Sequence, residues 1–148
     1  MIGGFMLEAL LAYIILSEVN ITNFSEYEEY LNELFMDEPS DGLLLDLIWC
    51  SSSASKSKKL ILDYFNKHNI NYNDFGKFLM QRIEAIYHEE NLDLQAFSSK
   101  IKLLWGILPE EILQAEPFWS MSYVGEPLSW GDVKQTQALY DKMFEFYK

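Results

Sequence analysis

The chain has 148 residues, 49% of them hydrophobic and 16% aromatic, with a formal charge of −12 and a pI near 4.4. That apolar content suffices for the core of one ordinary domain, so the acidity is not that of a disordered tail. Nucleic acid and anionic lipid would both repel such a chain, and the single cysteine, Cys50, rules out an internal disulfide and fits a reducing cytoplasm.

Apolar residues recur at spacings of three and four along most of the chain, the period of helices. Phe5 to Leu16 is almost wholly apolar. No basic segment precedes it, Glu8 interrupts it, and its unbroken run from Ala9 to Leu16 is far short of the ~20 residues that span a bilayer. It reads as a central core helix after a flexible start at Gly3 and Gly4. Ser25 and Glu28 form a capping-box pattern that opens a second helix, with Tyr27, Tyr30, Leu31, Leu34 and Phe35 facing inward. Pro39 and Gly42 break the chain. Leu43 to Cys50 is too short for periodicity to separate helix from strand, but no other segment offers a strand partner. A short, deeply buried helix is therefore expected there.

A Ser-rich linker, Ser51 to Ser55, precedes a helix from about Lys56 to His68, and Asn69 to Asn73 reads as a turn. Phe75, Phe78, Leu79, Ile83, Ile86 and Tyr87 mark a long amphipathic helix. Asp93 caps the next, whose inward residues are Leu94, Phe97, Ile101, Leu104 and Trp105. Pro109 suits the start of a brief helix to Ala115. Glu116 to Gly131, with Pro117 and Pro127, reads as a loop expected to fold back as a lid. Asp132 caps a last helix carrying Leu139, Tyr140, Met143, Phe144 and Tyr147. The expectation is an all-α fold, residues 1–148 forming a single compact bundle of about seven or eight helices.

Catalytic and metal chemistry find little support. Two histidines, His68 and His88, and one cysteine, with no His-x-x-x-His or Cys-x-x-Cys, do not make a metal site, and no cofactor motif is present. Both histidines are expected to be partly exposed near helix ends. Cys50 follows Leu47-Ile48-Trp49 and reads as a buried structural thiol rather than a nucleophile. Ser53-Ala54-Ser55-Lys56 matches Ser-x-x-Lys without its companion motifs. Ser51 to Lys59, the one basic cluster, lacks the glycines of a phosphate loop and reads as a solvated helix start.

The charge is unevenly placed. Ten acids and no base precede Ser51, whereas thirteen acids and eleven bases follow. In the second helix Glu26, Glu29 and Glu33 share one side, Glu28 is close by, and Asp37, Glu38 and Asp41 extend the patch. Glu29–Glu33 and Glu33–Asp37 are like-charge pairs at i, i+4, each costing an isolated helix about 0.2–0.5 kcal/mol. Asp37 also faces the negative end of the helix dipole. A solvated face would explain this, as would a basic protein partner that steers onto it. The aromatic residues Trp119, Tyr123 and Trp130 are candidates for the apolar part of such an interface.

In these respects the chain resembles the immunity proteins of bacterial polymorphic-toxin and contact-dependent growth inhibition systems. The resemblance is one of general character over the whole chain, carried by the Glu26–Asp41 patch and the aromatic residues towards the end. It implies a non-enzymatic inhibitor that binds a basic toxin domain, often a nuclease, with Glu26, Glu28, Glu29, Glu33, Asp37, Glu38 and Asp41 in the groove that nucleic acid would fill. The rival expectations are a helical adaptor that takes a peptide or helix in an apolar groove and a small enzyme of unknown class.

Overall fold

The computed structural model describes residues 6–68 and 71–148. Phe5 at the head of the expected core helix, the start at Gly3 and Gly4, and Asn69 and Ile70 of the expected turn lie outside the described residues. All regular structure among the described residues is helical: nine α-helices and one 3-10 turn. The all-α class expected from the periodicity is therefore the one observed. The helices sort into two compact units that divide between Phe75 and Gly76.

In the first unit α1 (Met6–Glu18) packs against α2 (Phe24–Asp37) and α4 (Ala54–His68), and α2 packs against α3 (Gly42–Trp49). Helix α1 is apolar on every side because it has neighbours to cover it: Leu10, Leu11, Ala12, Ile14, Ile15 and Leu16 are all fully buried. Asn20 ends it in the left-handed region, with φ 59, while the Ile21 N–H donates back to the Leu16 carbonyl. Asn adopts that conformation more readily than most residues. Phe65 of α4 lies edge-on to Phe75 of α5 (Tyr72–Tyr87), which closes the unit's aromatic end.

Two local expectations need correction. The Ser25/Glu28 capping box does not form, because α2 starts two residues earlier than a Ser25 cap would place it, at Phe24 behind Asn23. Ser25 thus lies inside the helix, and Phe24 instead rests its ring 5.1 Å from Tyr27. The Ser51–Ser55 linker is likewise shorter than expected. The Ser53 hydroxyl accepts the Lys56 N–H at 3.3 Å, a capping contact that lets α4 begin at Ala54.

The second unit holds the body of α5, then α6 (Leu94–Ile107), α7 (Glu110–Leu113), α8 (Phe118–Met121), the 3-10 turn (Glu126–Trp130) and α9 (Val133–Glu145). Asp93 and Asp132 cap α6 and α9 as expected, accepting from Ala96 and Gln135 at 3.1 and 3.0 Å. Tyr87, Phe97, Tyr140 and Phe144 form the unit's aromatic core, with the Tyr140 ring stacked on Phe144. Glu116 to Gly131 is more ordered than a loop. Phe118, Met121, Val124 and Pro127 recur every third residue and are buried, so the segment folds back onto its unit as a lid. Thr136 fastens it by donating to the Val124 carbonyl at 2.8 Å.

Candidate protein-binding surface

Helix α2 is built on two opposed faces. Tyr27, Leu31 and Leu34 are buried, which turns Glu29, Glu33 and Met36 to the opposite, solvent side of a 3.6-residue helix, with Asp37 exposed at its edge. Glu26 and Glu28 flank that stripe half-buried. Glu38 closes the helix through its backbone N–H, which donates to the Leu34 carbonyl. Asp41 has a structural task as well: its carboxylate caps α3 by accepting the Leu44 N–H at 3.0 Å. The seven acids therefore do not have equal standing. Glu29, Glu33 and Asp37 are the exposed ones.

Among the described residues these three carboxylates make no salt bridge. The lysines of the first unit that do pair engage acids elsewhere, Lys58 with Glu18 at 2.9 Å and Lys59 with Asp63 at 3.2 Å. Among the described residues, the repulsion foreseen between Glu29, Glu33 and Asp37 is thus not offset by a salt bridge of their own. Tyr30, between the stripe and the core, has its hydroxyl pushed above the ordinary tyrosine range by burial first, then by Tyr13 and by the charges of Glu33 and Glu8.

Helix α3 departs from expectation. It is not buried on all sides: Leu44 and Leu47 face the core, while Leu45 is 41% and Trp49 82% exposed. The two stand one turn apart on the outer side, with exposed Asp46 next to them. In a run as apolar as Leu43–Trp49 the periodicity is masked. The signal that could have revealed the outer face is Asp46, the only charged residue in the helix, which marks the side left to solvent. Met36, 79% exposed, occupies the last turn of α2, and only residues 38–41 separate α2 from α3.

Trp119, Tyr123 and Trp130 belong to the second unit. Trp119 is 40% exposed and meets Trp105 edge-on at 5.8 Å, and Trp130 is 62% exposed at the end of the 3-10 turn. Tyr123 is half-buried, its hydroxyl 3.3 Å from that of Ser120. Ser120 in turn donates to the Glu116 carboxylate at 2.6 Å. Glu116, Ser120 and Tyr123 border a recess of about 260 Å³ that is also lined by Leu139, Lys142 and Phe146 but not by Trp119 or Trp130. The lining contains no histidine to take a proton from Ser120.

The remaining chemistry-bearing residues have structural partners. Cys50 is half-buried, and its carbonyl accepts the Ser57 hydroxyl at 3.2 Å beside fully buried Tyr27. Burial pushes the Tyr27 hydroxyl up to about 12. His68 and His88 are exposed at the ends of their helices, His68 lying on the Tyr64 ring. Among the described residues no group of three His, Cys, Asp or Glu side chains converges as a metal would require, and no helix is long and apolar enough to cross a membrane. The recess beside Lys58 and Lys59 is also lined by Glu18 and Asp63, which counter the positive charge an anion would need. No protein-family model matches the chain, no curated protein matches its sequence, and no solved structure matches its fold.

Proposed function

We propose that this protein is a non-enzymatic inhibitor of the immunity type, acting in the cytoplasm by docking its first unit onto a basic toxin domain, a nuclease. The observation that carries this reading is the exposed stripe Glu29–Glu33–Asp37, which is free of salt bridges among the described residues. Three exposed carboxylates that repel one another and make no salt bridge among the described residues are suited to a cationic partner. Such a partner gains complementary potential and faster encounter, both weakened by salt. The same carboxylates would occupy the cationic groove that a nuclease uses for phosphates. Trp119 and Trp130, which belong to the second unit, are exposed aromatic residues of a type enriched at interfaces.

The test is retention of partners from native lysate by tagged wild-type protein, beside a Glu29/Glu33/Asp37→Gln variant. The expected result is one basic protein retained by wild type alone, whose nuclease activity falls as stoichiometric wild type is added. Equal retention by both proteins, or a retained protein whose nuclease activity is unaffected, would overturn the reading.

A further inference from the structure

The geometry points to the outer face of α3 as the apolar anchor of this docking surface. The partner element that fits it is an amphipathic helix with Lys or Arg beside an apolar stripe. The inference rests on the basic-partner reading and adds where, and by what shape of element, the partner is gripped.

Leu45 and Trp49 project one turn apart on the side of α3 away from Leu44 and Leu47. Two apolar side chains at that spacing form a ridge, the complement of the grooves between side chains on another helix. Trp49 is the most exposed large apolar residue described, and Trp is the residue type most enriched at binding hot spots. The surroundings of the ridge select the occupant. Asp46 stands beside it on α3, and only residues 38–41 separate α3 from the last turn of α2, which carries exposed Asp37 and Met36. A second copy of this chain placed on the ridge would set these acids against their own kind, and an anionic bilayer would repel them too. A helix with an apolar stripe and flanking cations satisfies both the ridge and its rim.

The probe is a synthetic helical peptide with a Leu stripe flanked by Lys, compared with a scrambled peptide of identical composition and with one carrying Glu in place of Lys. Binding to the full-length protein is measured by fluorescence anisotropy of the labelled peptide at two salt concentrations. The ordered Lys peptide should bind, and the scrambled one about tenfold or more weaker, since only the ordered one presents a stripe. Trp49→Ala and Leu45→Ala should each weaken binding, Trp49→Ala by about tenfold or more, with Trp49→Gln as a second probe of the same position. Phe146→Ala, in the second unit, should leave it unchanged. Far-UV circular dichroism checks that each variant is folded.

If Glu29/Glu33/Asp37→Gln weakens binding but Trp49→Ala and Trp49→Gln do not, the basic-partner reading stands and the anchor is overturned. If the Trp49 variants weaken binding while the Glu peptide binds as well as the Lys peptide, the basic occupant is overturned. Self-association of the wild type in sedimentation, lost in Trp49→Ala, would identify a second copy as the occupant and likewise overturn the proposal.

Discussion

Ser98 on α6 and Tyr140 on α9 share a buried hydrogen bond of 2.8 Å across 42 positions of sequence. The bond joins two helices inside the second unit's aromatic core. Burial pushes the Tyr140 hydroxyl well above the ordinary tyrosine range, so it is neutral and available to that bond at any physiological pH. Tyr140→Phe leaves the Ser98 hydroxyl buried without this partner, which should cost about 1–3 kcal/mol. Ser98→Ala should cost a similar amount for the converse reason. Because each single change strands the other partner, the double variant should lose less than the two losses added. Urea denaturation of all four proteins measures the coupling.

Two glycines should respond in opposite ways to the same substitution. At Gly76, in α5, an added Cβ would lie 2.6 Å from Tyr147 Oη and 2.7 Å from Phe118 Cζ. Phe118 is buried and cannot swing away, so Gly76→Ala should destabilise by about 1–3 kcal/mol despite its better helix propensity. At Gly106, in α6, a Cβ meets nothing within 4 Å, and Gly106→Ala should stabilise by about 0.5–1 kcal/mol. Thermal unfolding followed by circular dichroism separates the two signs.

Glu8 makes stability depend on pH. Its carboxyl is buried in α1 with Oε2 unpartnered, and burial, followed by the charge of Asp74, raises it above the ordinary carboxylate range. Its own backbone N–H opposes the shift, and Tyr30 is the other titratable group within its field. Between the ordinary glutamate range and the raised folded value, the native state holds more protons than the unfolded chain. This group's stabilising contribution is therefore complete below that window and is lost as pH rises through it. Glu8→Gln should flatten that part of the stability–pH curve and make the protein more stable than wild type above the window. An unchanged curve, measured by denaturant midpoints between pH 4 and 8, would show that Glu8 does not carry the dependence.

The acidic stripe predicts a trade between stability and binding. Glu33→Gln removes two like-charge pairs, with Glu29 and with Asp37, each worth about 0.2–0.5 kcal/mol in a helix. The isolated protein should therefore melt higher at low salt, and the gain should shrink as salt screens the charges. The same substitution should weaken attachment to a basic partner. A lower melting temperature for Glu33→Gln would mean that the carboxylate is internally compensated after all.

The helical class, the caps at Asp93 and Asp132 and the acidic side of α2 were legible because each is written in short-range spacing. A period of 3.6 residues and a carboxylate three positions before a free N–H need no knowledge of distant contacts. The lid was half legible. Its aromatic content pointed to burial, but the prolines obscured the every-third-residue rhythm that sends Phe118, Met121 and Val124 inward and leaves Trp119 and Trp130 outside.

By itself, then, the sequence determined that the chain is helical and that its acids collect on one side of α2, since both follow from residue order along a single helix. Only the tertiary structure decided which apolar residues stay in water. Leu44 and Leu45 are the same residue side by side, yet one is fully buried and the other 41% exposed. Periodicity cannot orient a helix that is apolar nearly all round. Its orientation depends on where neighbouring helices offer a surface to pack against: α3 packs against α2, Leu44 and Leu47 are buried, and Leu45 and Trp49 are left to solvent.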